Sequence, residues 1–334
     1  MEILPFPEGF LPLRGQSDPH VGQGENLRVS KHVVERATRA GRAEPASQMK
    51  RGMPDFLAVR DLLVDTYPTF GVPHNWGFER WNYARYFVIP MLAGYQEGVA
   101  YAPSVEESLE AIRAWENMIR VWEGDEGEMV DYAEGSLVHR KRNEVRNSVG
   151  GRDEPLQQLV RERGYTQDTE NPEGHSSFLI SGPPEPQLPP GFFFRTMADS
   201  NDIELRREVF GRAFNHPDPR DWPSAFAYEE LQRAPDYRKD LDLYIVGPGG
   251  QYVACCIVQY DERNRVGMLE PVGTHPDFRR RGLGRAVVLE GIQRAALLGA
   301  QRVNVGADVE FYLAIGFERT HVAHIWTKPA ATKR

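Results

Sequence analysis

The stretch HPDFRRRGLGRAVV, residues 275–288, places four arginines and two glycines within 279–285, immediately before an apolar run. The preceding segment, RVGMLEPVGT (265–274), is rich in apolar residues and predicts a strand. Within 282–299 apolar residues recur at spacings of three or four, which predicts a helix capped by a left-handed Gly299. The sequence therefore predicts a strand, a glycine-rich loop and a helix, in that order.

A loop that leads from a strand into a helix is a candidate anion site. The first N–H groups of a helix have no partner within it and lie at the positive end of its dipole. Gly282 and Gly284 lack the side chains that would keep a bulky anion away from those amides. Positive charge comes from the four arginines of the loop, which are Arg279, Arg280, Arg281 and Arg285. The alternative interpretation is a solvated basic turn before a surface helix.

Two residues with acid–base chemistry flank this loop. Glu270 lies four residues before Thr274, so it shares Thr274's side of a regular strand unless Pro271 marks a bulge. Downstream, the segment FYLAIGF places Tyr312 four residues before Gly316. A base, an anion loop and a phenol thus follow one another in the order that a transferase needs.

These motifs make residues 189–326 resemble the GNAT superfamily of N-acetyltransferases. The family pattern [Q/R]-x-x-G-x-[G/A] is present as RRRGLG (279–284), and Y-x-x-x-G-F is present as 312–317. The resemblance implies that backbone amides of 280–285 hold the pyrophosphate of coenzyme A while the strand at 272–274 pairs with its pantetheine arm. The cofactor-binding set so predicted is Val272, Gly273, Thr274, Arg279, Arg280, Arg281, Gly282, Leu283, Gly284, Arg285 and Asn304, although Asn304 could instead simply end a sheet edge.

The implied reaction is direct transfer of an acyl group from acetyl-CoA, or another acyl-CoA, to the primary amine of a small molecule. Glu270 is the candidate base, directly or through water, and Tyr312 the candidate donor of a proton to the departing thiolate. An N–H near Val272 would stabilise the tetrahedral oxyanion. The alternatives are a hydrogen-bonded strand carboxylate for Glu270 and a packed aromatic for Tyr312. No metal is expected.

The order of predicted elements indicates an α/β fold with a mixed sheet. DLYIVGPGGQYVACCIVQYD (242–261) predicts a hairpin, and strands and helices alternate after it. A proline-rich linker at 183–191 separates a GNAT domain at 192–334 from residues 53–182. Residues 1–52 form an N-terminal extension with one helix predicted at 30–40.

Residues 53–182 are predicted to be a degenerate, truncated GNAT-like copy. RGYTQD (163–168) resembles IGFERT (315–320), and EGEMVD (126–131) resembles GGQYVA (249–254). The copy is about 29 residues shorter between these matches. It has Val160 in the position of Tyr312, and it lacks the glycine loop. The tandem arrangement is similar to that of mycothiol synthase, and the copy is not expected to bind coenzyme A.

Composition limits the partners. The net charge of −8 and the pI near 5.7 argue against a nucleic-acid partner. The longest apolar run, 252–258, is far shorter than a membrane helix, so no membrane is expected. The cysteines, Cys255 and Cys256, are sequence neighbours and build no disulfide framework, which favours the cytoplasm. The oligomeric state is left open, a homodimer included.

Two other functions remain open. The basic run HRKRNEVRNSVGGR (139–152) could contact phosphates, which would suit an aminoacyl-tRNA donor on the same fold. A non-catalytic CoA-binding regulator is the second alternative, although such a protein has no need of Tyr312. Smaller features are weaker: 236–240 could line the acceptor site, and the aromatic residues of 74–87 indicate core or interdomain packing. His321 and His324 face opposite sides of a strand, which favours a structural role.

Overall fold

The computed structural model describes residues 27–29, 52–70, 77–93, 95–96, 99–100, 103–118, 121–123, 126–136 and 143–330. The predicted helix at 30–40, almost all of the predicted extension 1–52 and the first residues of the basic run 139–152 lie outside the described residues. None of the described helices combines the length and apolar character needed to cross a bilayer.

The helices are α1 Gly52–Phe70, α2 Phe78–Tyr83, α3 Ile89–Leu92, α4 Val105–Met118, α5 Glu126–Ser136, α6 Glu154–Glu162, α7 Ile203–Ala213, α8 Ala225–Leu231, α9 Leu283–Leu297 and α10 Glu310–Leu313. The strands are β1 Leu27–Val29, β2 Tyr95–Gln96, β3 Val99–Ala100, β4 Val121–Glu123, β5 Glu144–Gly150, β6 Thr166–Gln167, β7 Glu173–Leu179, β8 Phe193–Thr196, β9 Asp242–Val246, β10 Tyr252–Asp261, β11 Val266–Thr274, β12 Arg302–Val305 and β13 Glu318–Pro329. A π-helical turn, Ala84–Val88, joins α2 to α3.

The described chain divides into two compact units. The first unit takes described residues from 82–112 and 175–319, and the second from 20–81, 113–174 and 320–334. Each unit therefore uses chain from both sides of the linker predicted at 183–191. The division into domains at 53–182 and 192–334 stays a prediction.

The first unit contains a mixed sheet, as predicted. Its strand order is β7-β12-β11-β10-β9-β8, and every neighbouring pair is antiparallel except the parallel pair β11 and β12. α9 covers one face, where Val288 and Ile292 share a core with Val258 and Val303. α7 and α8 pack against the other face.

Local predictions near the loop hold closely. β9 and β10 form the predicted hairpin, with Val246 opposite Tyr252. The predicted helix 282–299 is α9, and Gly299 has a left-handed φ of 98°. The helix that contains Tyr312 is short: α10 spans Glu310–Leu313 alone.

The second unit places β13 between β5 and β6, antiparallel to both. Trp326 of β13 lies in a core with Val149 of β5 and with Leu156 and Val160 of α6. α6 begins at Asp153, whose carboxylate accepts the N–H of Leu156 at 3.2 Å, as an N-cap does.

One of the two internal sequence matches has the same structure in both places. The N–H of Tyr165 donates to Val160 at 3.0 Å, and the N–H of Phe317 donates to Tyr312 at 3.1 Å, so both helices end in the same turn before a strand. The other match is wrong. EGEMVD lies within α5, whereas GGQYVA is a turn and the start of β10.

Candidate active site

The loop between β11 and α9 has an unusual backbone. After Thr274 the chain makes a short 3-10 turn, Pro276–Phe278, before it reaches the glycines. Arg280 has a φ of 65° and Gly282 a φ of 80°, both in the left-handed region. For an arginine this conformation is uncommon, and such strain tends to concentrate at functional sites. These two left-handed residues turn the chain into α9, so that the first amides of the helix lie in the loop.

The backbone N–H groups of 280–285 form no hydrogen bond with the rest of the described protein. The first bond of the helix runs from Ala286 to the carbonyl of Gly282 at 3.0 Å, so the preceding amides are left over. Consecutive unpaired amides at a helix N-terminus form an anion-binding cradle. This geometry is what the sequence predicted for the loop.

The four loop arginines do not all act in the same way. Arg279 is tied to the protein, because its guanidinium donates to the carbonyls of Thr274 at 3.1 Å and Ala213 at 2.8 Å. Arg279 therefore anchors the end of β11 to the end of α7. This structural role differs from the predicted one, in which its positive charge would lie beside the diphosphate. The other three side chains, Arg280, Arg281 and Arg285, are exposed; Arg281 donates to the carbonyl of Asp277 at 3.3 Å and Arg285 to that of Ala314 at 3.0 Å.

The two loop glycines have different reasons to be glycine. A Cβ atom on Gly282 would meet nothing within 4 Å, so that position is open and its requirement is the positive φ. A Cβ on Gly284 would instead lie 3.0 Å from Oγ1 of Thr274. Gly284 therefore lets α9 approach β11, which differs from the expected role of clearing space for an anion.

β11 and β12 separate next to this loop. Their parallel pairing covers Val266 to Met268 of β11 and stops at Asn304 of β12. On its other edge β11 stays paired with β10 as far as Thr274. The edge of β11 at 269–274 therefore faces a gap between diverging strands.

The backbone of Val272 is directed into this gap. The N–H of His275 donates to the carbonyl of Val253 at 2.9 Å. Because bonded and non-bonded pairs alternate along an antiparallel ladder, Val272 and Thr274 point their N–H and C=O groups away from β10. The carbonyl of Thr274 accepts a hydrogen bond from Arg279. The backbone N–H and C=O of Val272 are therefore the groups that can pair with an added chain. Gly273 fills a different need, because a Cβ there would lie 2.6 Å from that of Ala213.

Glu270 and Pro271 form a bulge. They stand together opposite Ile257 of β10, since Val272 pairs with Cys256 and Leu269 pairs with Val258. The peptide bond between them is cis. Leu269 packs in the α9 core, so alternation places Glu270 on the opposite face; the bulge at Pro271, which the sequence left open, therefore keeps Glu270 from sharing Thr274's side.

Tyr312 is buried in the α9 core between Phe311 and Phe317, whose ring centroids lie 5.0 and 5.4 Å from its own. Burial raises the pKa of Tyr312 above its ordinary value, and the charges of Cys256 and Glu270 raise it further. The phenol thus stays protonated at neutral pH.

Sequence reasoning did not assign a site role to Tyr83, at the end of α2. It packs with Phe87, Tyr228 and Ile257, so the predicted packing role of the aromatic 74–87 stretch is confirmed for this part. Burial raises the pKa of Tyr83, and the charges of Tyr228 and Glu270 raise it further. In the sequence, the four-residue spacing of Tyr83 and Phe87 indicates that they share one face of a helix. It does not indicate which element that face packs against.

A buried ion pair ties α7 to the sheet on this same face. Nε of Arg206 lies 2.8 Å from Oδ1 of Asp242, and both side chains are fully buried. Tyr237 donates to the other carboxylate oxygen at 2.8 Å, and Nη1 of Arg206 donates to Tyr228 at 3.1 Å. Tyr237 was a candidate for the acceptor site, and it belongs to this network instead.

The remaining candidates are dispersed. Asp236 accepts from Asn82 at 2.6 Å, and Asp240 pairs with Arg238 at 2.8 Å. Asn304 is buried in β12, at the position where the pairing between β11 and β12 ends. In the second unit, Nδ1 of His324 lies 3.1 Å from the carbonyl of Asp168.

A family model described as the Acetyltransferase (GNAT) family matches residues 206–317. The matched segment includes the loop, Glu270 and Tyr312. No curated protein matches the sequence.

Solved structures with similar folds share little sequence with the chain. A GCN5-related N-acetyltransferase from Sphaerobacter thermophilus is 18% identical over 69% of this chain and 68% of its own, with a TM-score of 0.46. One from Kribbella flavida is 18% identical over 62% of this chain and 77% of its own, with a TM-score of 0.43. A tandem GNAT protein from the clavulanic acid biosynthesis pathway is 14% identical over 62% and 70%, with a TM-score of 0.49.

Proposed function

Because residues 206–317 match the model of the Acetyltransferase (GNAT) family, we propose that the protein transfers an acyl group from acyl-CoA to the primary amine of a small molecule. Acetyl-CoA is the simplest donor. The observation that carries the proposal is the run of unpaired backbone amides at 280–285. An acyltransferase of this kind needs such a cradle to hold the diphosphate of its donor.

The donor would lie along the gap between β11 and β12. Its diphosphate would accept hydrogen bonds from the amides of 280–285, with the exposed arginines of the loop adding charge. Its pantetheine arm carries amide groups that pair with the free backbone groups of Val272. This arrangement would bring the thioester next to the bulge at Glu270.

In the proposed reaction Glu270 removes a proton from the ammonium of the acceptor, directly or through water, so that the nitrogen lone pair is available. The amine nitrogen attacks the thioester carbonyl, and the N–H of Val272 stabilises the oxyanion that forms. The carbon–sulfur bond then breaks and Tyr312 donates its proton to the departing thiolate, while the nitrogen releases its second proton, which restores the phenol as the neutral amide forms. The raised pKa of Tyr312 suits this role, because the phenol still carries its proton at neutral pH. The thioester is already activated, so this scheme uses no metal.

The alternatives have less support. Of the basic run 139–152, the described Arg152 donates to the carbonyl of Thr320 at 2.5 Å, and Arg146 lies 3.9 Å from Glu144. Both guanidinium groups thus have protein partners, which weakens the aminoacyl-tRNA reading. A regulator without catalysis would have no need of a proton donor at Tyr312. Buried free thiols at Cys255 and Cys256 support an enzyme of the reducing cytoplasm.

Calorimetric titration with coenzyme A and acetyl-CoA tests the proposal. We expect micromolar binding that Gly282→Glu abolishes, because the new carboxylate projects into open space beside the amides and repels the diphosphate. Gly250→Glu is the matched control. Gly250 also has a left-handed φ, 82°, and open surroundings, but it lies in the hairpin between β9 and β10. The control should lose stability equally and still bind.

Absence of coenzyme A binding by the unmodified protein would refute the proposal. Binding without thioester consumption in the presence of any amine would favour the regulator. A tRNA shift in a gel that weakens with salt would favour the aminoacyl-tRNA reading.

A further inference from the structure

The last turn of α7 ends in a Schellman motif. The N–H of His216 donates to the carbonyl of Gly211 at 2.8 Å, and the N–H of Asn215 donates to that of Arg212 at 3.0 Å. Asn215 occupies the left-handed position of this motif, with a φ of 62°. Glycine is the usual residue there, because it adopts a positive φ without strain. Asparagine tolerates the same conformation and, unlike glycine, brings a hydrogen-bond acceptor to it.

The side chain of Asn215 binds Arg279, the residue immediately before the amide cradle at 280–285. Its Oδ1 accepts from Nη2 of Arg279 at 2.9 Å. The same nitrogen donates to the carbonyl of Ala213 at 2.8 Å, and Nε of Arg279 donates to that of Thr274 at 3.1 Å. Arg279 is therefore held at three points, two of which belong to the end of α7.

This anchor stands next to a strained residue. Arg280 has a φ of 65°, a conformation that is unfavourable for a residue with a side chain and persists only where the surrounding structure imposes it. On one side of Arg280 the loop is held by α9, whose Gly284 packs against Thr274. On the other side it is held by the hydrogen bonds of Arg279. Without one of these bonds the loop can relax toward an ordinary φ, which turns the following amides out of their common direction.

The support that Asn215 provides is itself fixed. The indole N–H of Trp222 donates to the carbonyl of His216 at 2.9 Å. The indole lies against α7, because a Cβ on Gly211 would be 2.0 Å from Cδ1 of Trp222. The guanidinium of Arg212 lies over the same ring, 5.4 Å from its centroid. The end of α7 and the chain after it therefore form a firm attachment point for the loop.

Resting on the proposed function, we propose that Asn215 is a positioning residue for the acyl donor. It fixes Arg279, Arg279 fixes the strained turn at Arg280, and this turn directs the amides of 280–285 toward the diphosphate of coenzyme A. Asn215 lies outside both family motifs, 279–284 and 312–317, and it acts through Arg279 without a charge of its own.

Replacement of Asn215 separates positioning from a purely structural role. Asn215→Gly keeps the left-handed backbone and removes only the acceptor. Because glycine is favoured at this position, the variant should be at least as stable as the unmodified protein in urea denaturation. Its Kd for coenzyme A, measured by calorimetry, should nevertheless rise about fivefold, the loss expected for one hydrogen bond. Asn215→Asp keeps the acceptor oxygen and should restore the affinity to within about twofold.

Replacement of Arg279 separates position from charge. Arg279→Lys keeps the positive charge, but a single ammonium cannot reproduce the forked bonds of the guanidinium to α7 and β11. We expect its Kd for coenzyme A to rise about tenfold or more. Adding Asn215→Gly to this variant should change the Kd by less than about twofold, because the acceptor that is removed has already lost the guanidinium.

Asn143→Gly is the matched control. Asn143 is also exposed and left-handed, with a φ of 51°, but it precedes β5 in the second unit. This variant should leave the Kd for coenzyme A unchanged.

The outcomes distinguish the two proposals. If the unmodified protein does not bind coenzyme A, the proposed function fails. If it binds coenzyme A and Asn215→Gly binds equally well, Asn215 does not position the donor. The same conclusion follows if Arg279→Lys keeps full affinity, if Asn215→Asp loses as much as Asn215→Gly, or if Asn143→Gly raises the Kd as much. In all of these last cases the proposed function stands.

Discussion

Gly284 packs directly against Thr274, since a Cβ on Gly284 would lie 3.0 Å from Oγ1 of Thr274 and 3.3 Å from the Phe311 ring. The start of α9 is thereby held against the end of β11, and the amide cradle is held with it. A Cβ alone would require Thr274 or the Phe311 ring to shift by a few tenths of an ångström. A larger side chain at 284 should push the helix away from the strand and displace the cradle.

Replacing this glycine should damage both stability and donor binding. We expect Gly284→Val to lose about 1–3 kcal/mol more stability than Gly135→Val in urea denaturation, because overpacking adds to the helix-propensity effect. Gly135 lies in α5 with nothing within 4 Å of its Cβ position, so it reports propensity alone. Calorimetry should show coenzyme A affinity at least about tenfold weaker for Gly284→Val alone. Equal losses in the two variants would contradict the packing argument.

Removing the hydroxyl of Tyr312 should slow the chemical step. Tyr312→Phe keeps the ring contacts with Phe311 and Phe317, so we expect kcat to fall about 10²-fold with little change in KM for acetyl-CoA. Donors whose thiol has a lower pKa should recover much of the rate, because their thiolate departs without a proton. Tyr260→Phe is the control, since its hydroxyl donates to the carbonyl of Leu298 instead. An unchanged kcat would remove Tyr312 from the mechanism.

His321 should make the protein less stable in mild acid. Burial, followed by the charge of Arg152, lowers the pKa of His321 from 6.5 to about 4. At pH values between these two pKa values, the imidazole is neutral in the folded protein and protonated in the unfolded chain. Unfolding therefore takes up a proton, and the protein becomes less stable as the pH is lowered. Chemical denaturation from pH 7 to pH 4 should show a loss of about 1–2 kcal/mol from this residue, allowing for its partial exposure. In His321→Gln this part of the slope should disappear, and an unchanged slope would rule the assignment out.

The buried pair of Arg206 and Asp242 should show strong coupling. Arg206→Met leaves a buried carboxylate without its cation, and we expect a loss of about 3–5 kcal/mol in the free energy of unfolding. Asp242→Asn alone should also destabilise, because the guanidinium loses its counter-charge. The double variant should be more stable than the sum of the two losses predicts, by about 1–3 kcal/mol. Simple additivity would mean that the two charges are independently solvated.

Cutting the linker should not separate the chain. Before the linker lie β7, which pairs with β12 in the first unit, and β5, which pairs with β13 in the second. Both strand pairings therefore need chain from both sides of 183–191. A protease site placed in this segment should yield two fragments that co-elute in native buffer and keep coenzyme A affinity within about threefold. Fragments that separate without denaturant would contradict these strand pairings.

The sequence by itself determined the local parts of the site. The spacing of glycines, the apolar period of α9 and the Tyr312 to Phe317 turn depend on hydrogen bonds and φ values within a few residues, which a chain specifies by itself. The strand, loop and helix around 275–288 could therefore be predicted together with the anion cradle.

Only the tertiary structure decided what these parts meet. The bulge at Glu270 depends on the register with β10, and the bonds of Arg279 depend on where α7 ends. Tyr83 packs with Ile257 of β10 although the two are far apart in sequence. The order of the strands in the first unit's sheet, β7-β12-β11-β10-β9-β8, is likewise specified by no local pattern. Packing and register over the whole unit select the side-chain partners across a sheet. Residues that are close in sequence do not specify these partners.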